Sequence, residues 1–143
     1  MDLLVIAIGL LGGFAVGIQV PIAGAMGQKI GSTASSFIVH AGGAVLSGVL
    51  LFVRGGENMR EWQSLPWYML LAGMWGLLLY LTISVTMPRL GGTMVVTLII
   101  IGQLLIGAVI DHFGWLNVPV HPISVTRILG IGVLLVGGWL IAR

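Results

Sequence analysis

Cysteine is absent from this 143-residue chain. That excludes a disulfide framework, a thiolate metal site and thiol redox chemistry together. Charge is scarce as well. Asp, Glu, Lys and Arg make up 7% of the residues, against ~25% in an ordinary soluble domain. The six basic residues stand singly, so there is no patch on which a nucleic acid could be held, and no nucleic-acid partner is expected. No carboxylate falls inside the first three apolar runs. Also missing are a GxxxxGK[ST] phosphate loop, HExxH, GxSxG, and paired carboxylates beside a nucleophile. The chain therefore offers no catalytic residues and is not expected to be an enzyme, and no cofactor or metal is implied.

What is present is apolar surface: 58% of residues are hydrophobic and the mean hydropathy is +1.15. The solvent of such a chain is lipid. A hydrocarbon core of ~30 Å needs ~20 apolar residues, and lipid forces them to be helical because each backbone polar group must find a partner within the protein. Five runs qualify, over approximately residues 3–22, 35–53, 66–87, 94–111 and 123–142, as one membrane domain spanning 1–143. Pro21 is placed to end or kink the first, Pro66 suits the first turn of the third, and residues 88–92 break the third from the fourth. Asp2 precedes the first run without a basic stretch, so that run reads as a retained helix and not as a cleaved leader. The connections, 24–34, 54–64, 88–93 and 111–121, are too short for a soluble domain. Phe52, Trp62, Trp67, Tyr68, Phe113, Trp115 and Trp139 cluster near run ends, where aromatic rings anchor in the headgroup layer. Arg127 lies in the first turn of the fifth run, from which it can snorkel to the interface.

Five spans place Arg54, Arg60 and Arg127 on one side of the membrane and Lys29, Arg89 and Arg143 on the other. Lys and Arg normally favour the cytoplasmic side, so a tie predicts a chain that inserts in both directions. Two inverted copies can then pair around a site at mid-membrane, as inverted repeats do in alternating-access transporters. Lipid or a partner protein fixing one orientation is the alternative.

Within lipid, small residues at four-residue spacing mark helix contacts. Gly9, Gly13 and Gly17 form such a ridge on the first helix, with Gly12, Ala15 and Gln19 on another face. Gly130, Gly132, Gly137 and Gly138 make the fifth helix a candidate dimer contact. On the second helix Thr33, Ser36, His40, Gly43 and Ser47 draw a polar stripe around one titratable group. Intramembrane ionisable side chains usually face a bundle interior or cavity, so His40 is a candidate for substrate hydrogen bonding or proton relay. A neutral histidine bonded to a neighbouring helix is the alternative. Gln103, Gly107 and Asp111 share one line of the fourth helix. Gln103 could meet a ligand or cross-link helices, and Asp111 could take part in proton coupling or pair with Arg127. Gly76, Tyr80 and Ser84 share a line on the third helix, where Tyr80 could touch a ligand or bond a neighbour.

The segments Gly17-Ile18-Gln19-Val20-Pro21-Ile22-Ala23-Gly24, Ser35-Ser36-Phe37, Leu65-Pro66-Trp67-Tyr68 and Pro88-Arg89-Leu90-Gly91 resemble the YdcZ-like family of bacterial inner-membrane proteins. The most specific likeness is Gly102-Gln103-Leu104-Leu105 followed by Ile110-Asp111-His112-Phe113-Gly114. The resemblance runs in order along essentially the whole chain. It implies a place in the drug/metabolite transporter superfamily, beside the small multidrug resistance exporters, and a multi-pass protein of the bacterial inner membrane. It further implies dual topology, as an antiparallel homodimer or paired with an oppositely oriented paralogue. The family supplies no established substrate or site residues to carry over. Ala23 stands where many members have asparagine, and His40 where many have glycine. The small multidrug exporters exchange protons on a glutamate of their first helix, where this chain has uncharged Gln19.

The reading is thus an all-α membrane protein that transports an unidentified small polar or amphipathic solute, with Gln19, Ser36, His40, Tyr80 and Gln103 as candidate binding residues. A passive dual-topology channel and a non-transporting assembly subunit are the alternatives.

Overall fold

The computed structural model describes residues 2–141 and 143, and all regular structure among them is helical. Helix α1 covers Leu3–Ile30 and opens on Asp2, whose carboxylate accepts a hydrogen bond from the Leu4 amide at 3.1 Å. At 28 residues it measures roughly 42 Å, longer than the hydrocarbon core. It does not end near residue 22 as the sequence suggested. Pro21 removes one N–H, whereas unwinding the following eight residues would leave many more backbone groups unsatisfied.

Helix α2, Ser32–Val53, begins directly after α1. The expected connection over 24–34 is one residue, Gly31, at φ 89°, a conformation that side-chain-bearing residues rarely adopt. Its N–H bonds Gly27 O and its carbonyl accepts from Ser35 N, each at 3.0 Å. After a turn in which Arg54 pairs with Glu57 at 3.1 Å, a 3-10 segment, Met59–Ser64, leads to the short α3, Trp67–Leu70. Helix α4 then runs from Gly73 to Phe113. The single helix expected over 66–87 is interrupted at residues 71–72, where tighter bonds such as Met74 N to Leu71 O at 2.9 Å take over. Farther along, the expected break over 88–93 narrows to Gly91, the one residue inside α4 with non-helical angles (φ 73°, ψ 165°). Both loops collapse onto a positive-φ glycine because lipid penalises any longer stretch of unpaired backbone.

A 3-10 turn, Trp115–Asn117, leads towards α5, Val125–Ile141. The Ser124 hydroxyl caps α5 by accepting from Arg127 N at 3.2 Å, which sets the start just after the expected residue 123. The expected end at 142 lies outside the described residues. By length and composition α1, α2 and α4 can each cross a membrane, and α5 is a shorter apolar helix of 17 residues.

The chain divides into two compact units, residues 1–89 and 90–143. In the first, α1 packs on α2, and the buried side chains are Val20, Ala23, Ser35, Ser36, Tyr80 and Ile83. Large Leu, Ile and Val side chains point outward. Bulky apolar side chains outside, with serines buried beside Val20 and Ile83, depart from the pattern of a soluble domain because the surrounding lipid is itself apolar. In the second unit Gly138 of α5 is buried against Ile101 and Thr97 of α4.

Candidate functional site

The line Gly76, Tyr80 and Ser84 on α4 organises the first unit, because each residue meets a different polar partner. Buried Tyr80 accepts a hydrogen bond at its Oη from Gln19 Nε2 of α1 at 2.8 Å. His40 of α2 sets its ring edge-on to Tyr80, with centroids 5.4 Å apart and planes inclined by 61°. Gly76 makes room for the imidazole: a Cβ there would overlap Nε2. Gln19, Tyr80 and His40 thus converge from three helices.

His40 is also tied to its own helix. Its Nδ1 lies 2.7 Å from Ser36 O and 3.2 Å from Ser36 Oγ. Behind it, fully buried Ser35 donates to Ala23 O at 3.0 Å and bolts α2 to α1. The stripe read along α2 therefore divides. Thr33, Ser36 and His40 line a groove of about 400 Å³, completed by Phe37, Gly73, Met74 and Leu77. Ser47, farther along, only bonds back to Gly43 O at 2.8 Å and Ala44 O at 3.1 Å. A larger groove of about 590 Å³ beside Arg54 and Glu57 contains none of the candidate residues.

One polar contact went unanticipated. Gln28 Nε2 donates to Ser84 O at 2.8 Å. Ser84 is four residues before Pro88, so its carbonyl is the one that proline leaves without a helical partner. Pro88 marks the vacant acceptor in the sequence, but nothing there indicates that an amide 56 residues earlier fills it.

The remaining candidates stand apart from this cluster. Gln103 is exposed on α4 in the second unit. Asp111 pairs with Arg127 through Oδ2 and Nη2, Arg127 Nη1 also donates to His121 O at 3.4 Å, and His121 N donates to Asp111 O at 2.8 Å. Among the alternatives for Asp111, the geometry displays the ion pair. The ridge glycines Gly9, Gly13 and Gly17, like Gly130 and Gly137, face open space within the single chain. Close approaches inside the chain fall instead at Gly24 against Met87, at Gly27 against Ser84, and at Gly76 and Gly138. Four-residue spacing identifies surfaces that can approach a neighbour, but which glycine is covered depends on where helices cross.

Long apolar helices carrying a small polar cluster define a multi-pass membrane protein. The particular family is shown by comparison: the chain belongs to the family described as "Putative inner membrane exporter, YdcZ", which matches residues 4–140. It is a protein of the bacterial inner membrane, as the resemblance implied. No curated protein and no solved structure matches it.

Proposed function

We propose that this protein is a dual-topology secondary exporter of a small polar or amphipathic solute, working as an antiparallel homodimer of five-span subunits. The carrying observation is the convergence of Gln19, His40 and Tyr80, with Ser36 behind, inside otherwise apolar helices. Polar groups at membrane depth are costly and concentrate along solute pathways. Two features support the dimer: the three-to-three division of basic residues and the uncovered glycine faces of α1 and α5. A second copy, or an oppositely oriented paralogue, would supply the surface these faces lack. In this reading Asp111 braces the α4–α5 connection through Arg127, and Gln103 is a further polar position tested separately.

The test has two arms. Single cysteines introduced at each end of this cysteine-free chain should label about equally from either side of the membrane. Proteoliposomes should then move members of a panel of labelled small amides, alcohols and amines faster than protein-free vesicles do. Replacing Gln19 and His40 together should abolish that flux, with Gln103→Ala as a separate arm. Uniform orientation ends the homodimer, and flux that survives the double replacement ends the site assignment.

A further inference from the structure

We infer that the group recognised at this site is an uncharged N–H or O–H hydrogen-bond donor, accepted by His40 Nε2, on a solute whose apolar body lies in the α2–α4 groove. The inference rests on the export reading above and names the chemical class of its substrate.

The argument begins at Ser36. A backbone carbonyl can only accept, so the 2.7 Å contact between His40 Nδ1 and Ser36 O requires the proton on Nδ1. In the neutral ring Nε2 is then a bare acceptor. Among the described residues it has no hydrogen-bond partner, and it lies over Gly76, where any side chain would displace it. The ring cannot readily turn away, since Ser36 holds one edge and Tyr80 packs edge-on at 5.4 Å. Tyr80 is in turn held by one N–H of the Gln19 amide, and the Gln19 carbonyl oxygen is a second acceptor beside it.

Charge excludes the other classes. No carboxylate lies on α1, α2 or the part of α4 before Gly91, so a cation here would be desolvated without a counter-charge. A quaternary ammonium, moreover, has no proton to offer Nε2. An anion would meet no Lys or Arg in the groove lining and would face the lone pair of Nε2. The groove, about 400 Å³ with Phe37, Met74 and Leu77 among its walls, suits a small apolar body, and a bare acceptor at its edge discriminates by the presence of a donor.

The test uses the full-length protein in bilayers, labelled with 15N-histidine. His112 serves as an internal reference, because its Nδ1 accepts from Ile123 N at 3.2 Å and its proton must sit on Nε2. Nitrogen NMR should show the opposite tautomer at His40, identified by the signal lost in His40→Phe. Benzamide and N-methylbenzamide should both shift the His40 Nε2 resonance. N,N-Dimethylbenzamide, which lacks the donor, should need about tenfold more, the ratio one neutral hydrogen bond carries. A proton on Nε2, or equal or absent responses to all three amides, overturns the inference. Its failure is separable from that of the export reading. His40-dependent flux with the proton on Nε2 leaves export standing without this specificity, whereas a donor-specific shift with no flux of any panel member leaves a binding site and ends export.

Discussion

The two units of the chain handle polar groups differently. In the first, side chains far apart in sequence bond between helices: Gln19 to Tyr80, Gln28 to Ser84 O and Ser35 to Ala23 O. In the second, polar bonding is gathered at the α4–α5 connection around Asp111, His121 and Arg127, and Gly138 meets the methyl groups of Ile101 and Thr97. Specific hydrogen bonds at membrane depth fix one arrangement of helices, whereas glycine-on-methyl contacts are short-ranged and tolerate adjustment. The first unit is therefore held by specific polar bonds between helices and the second by close packing and one polar connection.

The sharpest way to break this contrast is to add one methyl group to each unit. Gly76→Ala should cost about 1–2 kcal/mol, since the imidazole it strikes is held on both sides. Gly138→Ala should be close to neutral. Its obstacle is the end of the Ile101 side chain at 2.8 Å, which can turn aside, and alanine recovers about 1 kcal/mol of helix propensity. Unfolding midpoints in mixed micelles measure both, and equal costs would erase the distinction.

A smaller effect sharpens it. Gln28→Ala should cost about 1–2 kcal/mol by orphaning the Ser84 carbonyl. In a Pro88→Ala background, where residue 88 regains its N–H, the same change should cost almost nothing. A double-mutant cycle reads this coupling, and additive costs would mean that Gln28 does not act through the proline. Smallest of all, Asp111→Asn should cost about 0.2–1 kcal/mol, with the loss shrinking as salt is raised, because the Arg127 pair is partly exposed. Proteoliposome flux should be unchanged by it, and a large loss of flux would return Asp111 to the transport pathway.

Much of the first unit was legible in advance. The i, i+4 line of Gly76, Tyr80 and Ser84 and the Thr33–Ser36–His40 stripe follow from helical periodicity alone, and both mark faces that meet neighbours. Helix ends were less legible. Proline and glycine advertise breaks, but in lipid the helix continues past Pro21 and Pro88, and the turns contract to Gly31 and Gly91. The glycines that take helix contacts within the chain, Gly24, Gly27, Gly76 and Gly138, could not be selected from 23 by spacing, because spacing repeats along a helix while a crossing occurs at one place.

Composition by itself determined the solvent and the helical class, since near-total loss of charge and uninterrupted apolar runs leave a chain no other way to satisfy its backbone. Only tertiary structure decided which polar groups meet. The bonds of Gln19 with Tyr80 and of Gln28 with the carbonyl freed by Pro88, and the packing of His40 over Gly76, join residues 36 to 61 positions apart. Hydrogen bonding depends on where side chains lie in space, and a local pattern reports only which face of its own helix a residue occupies.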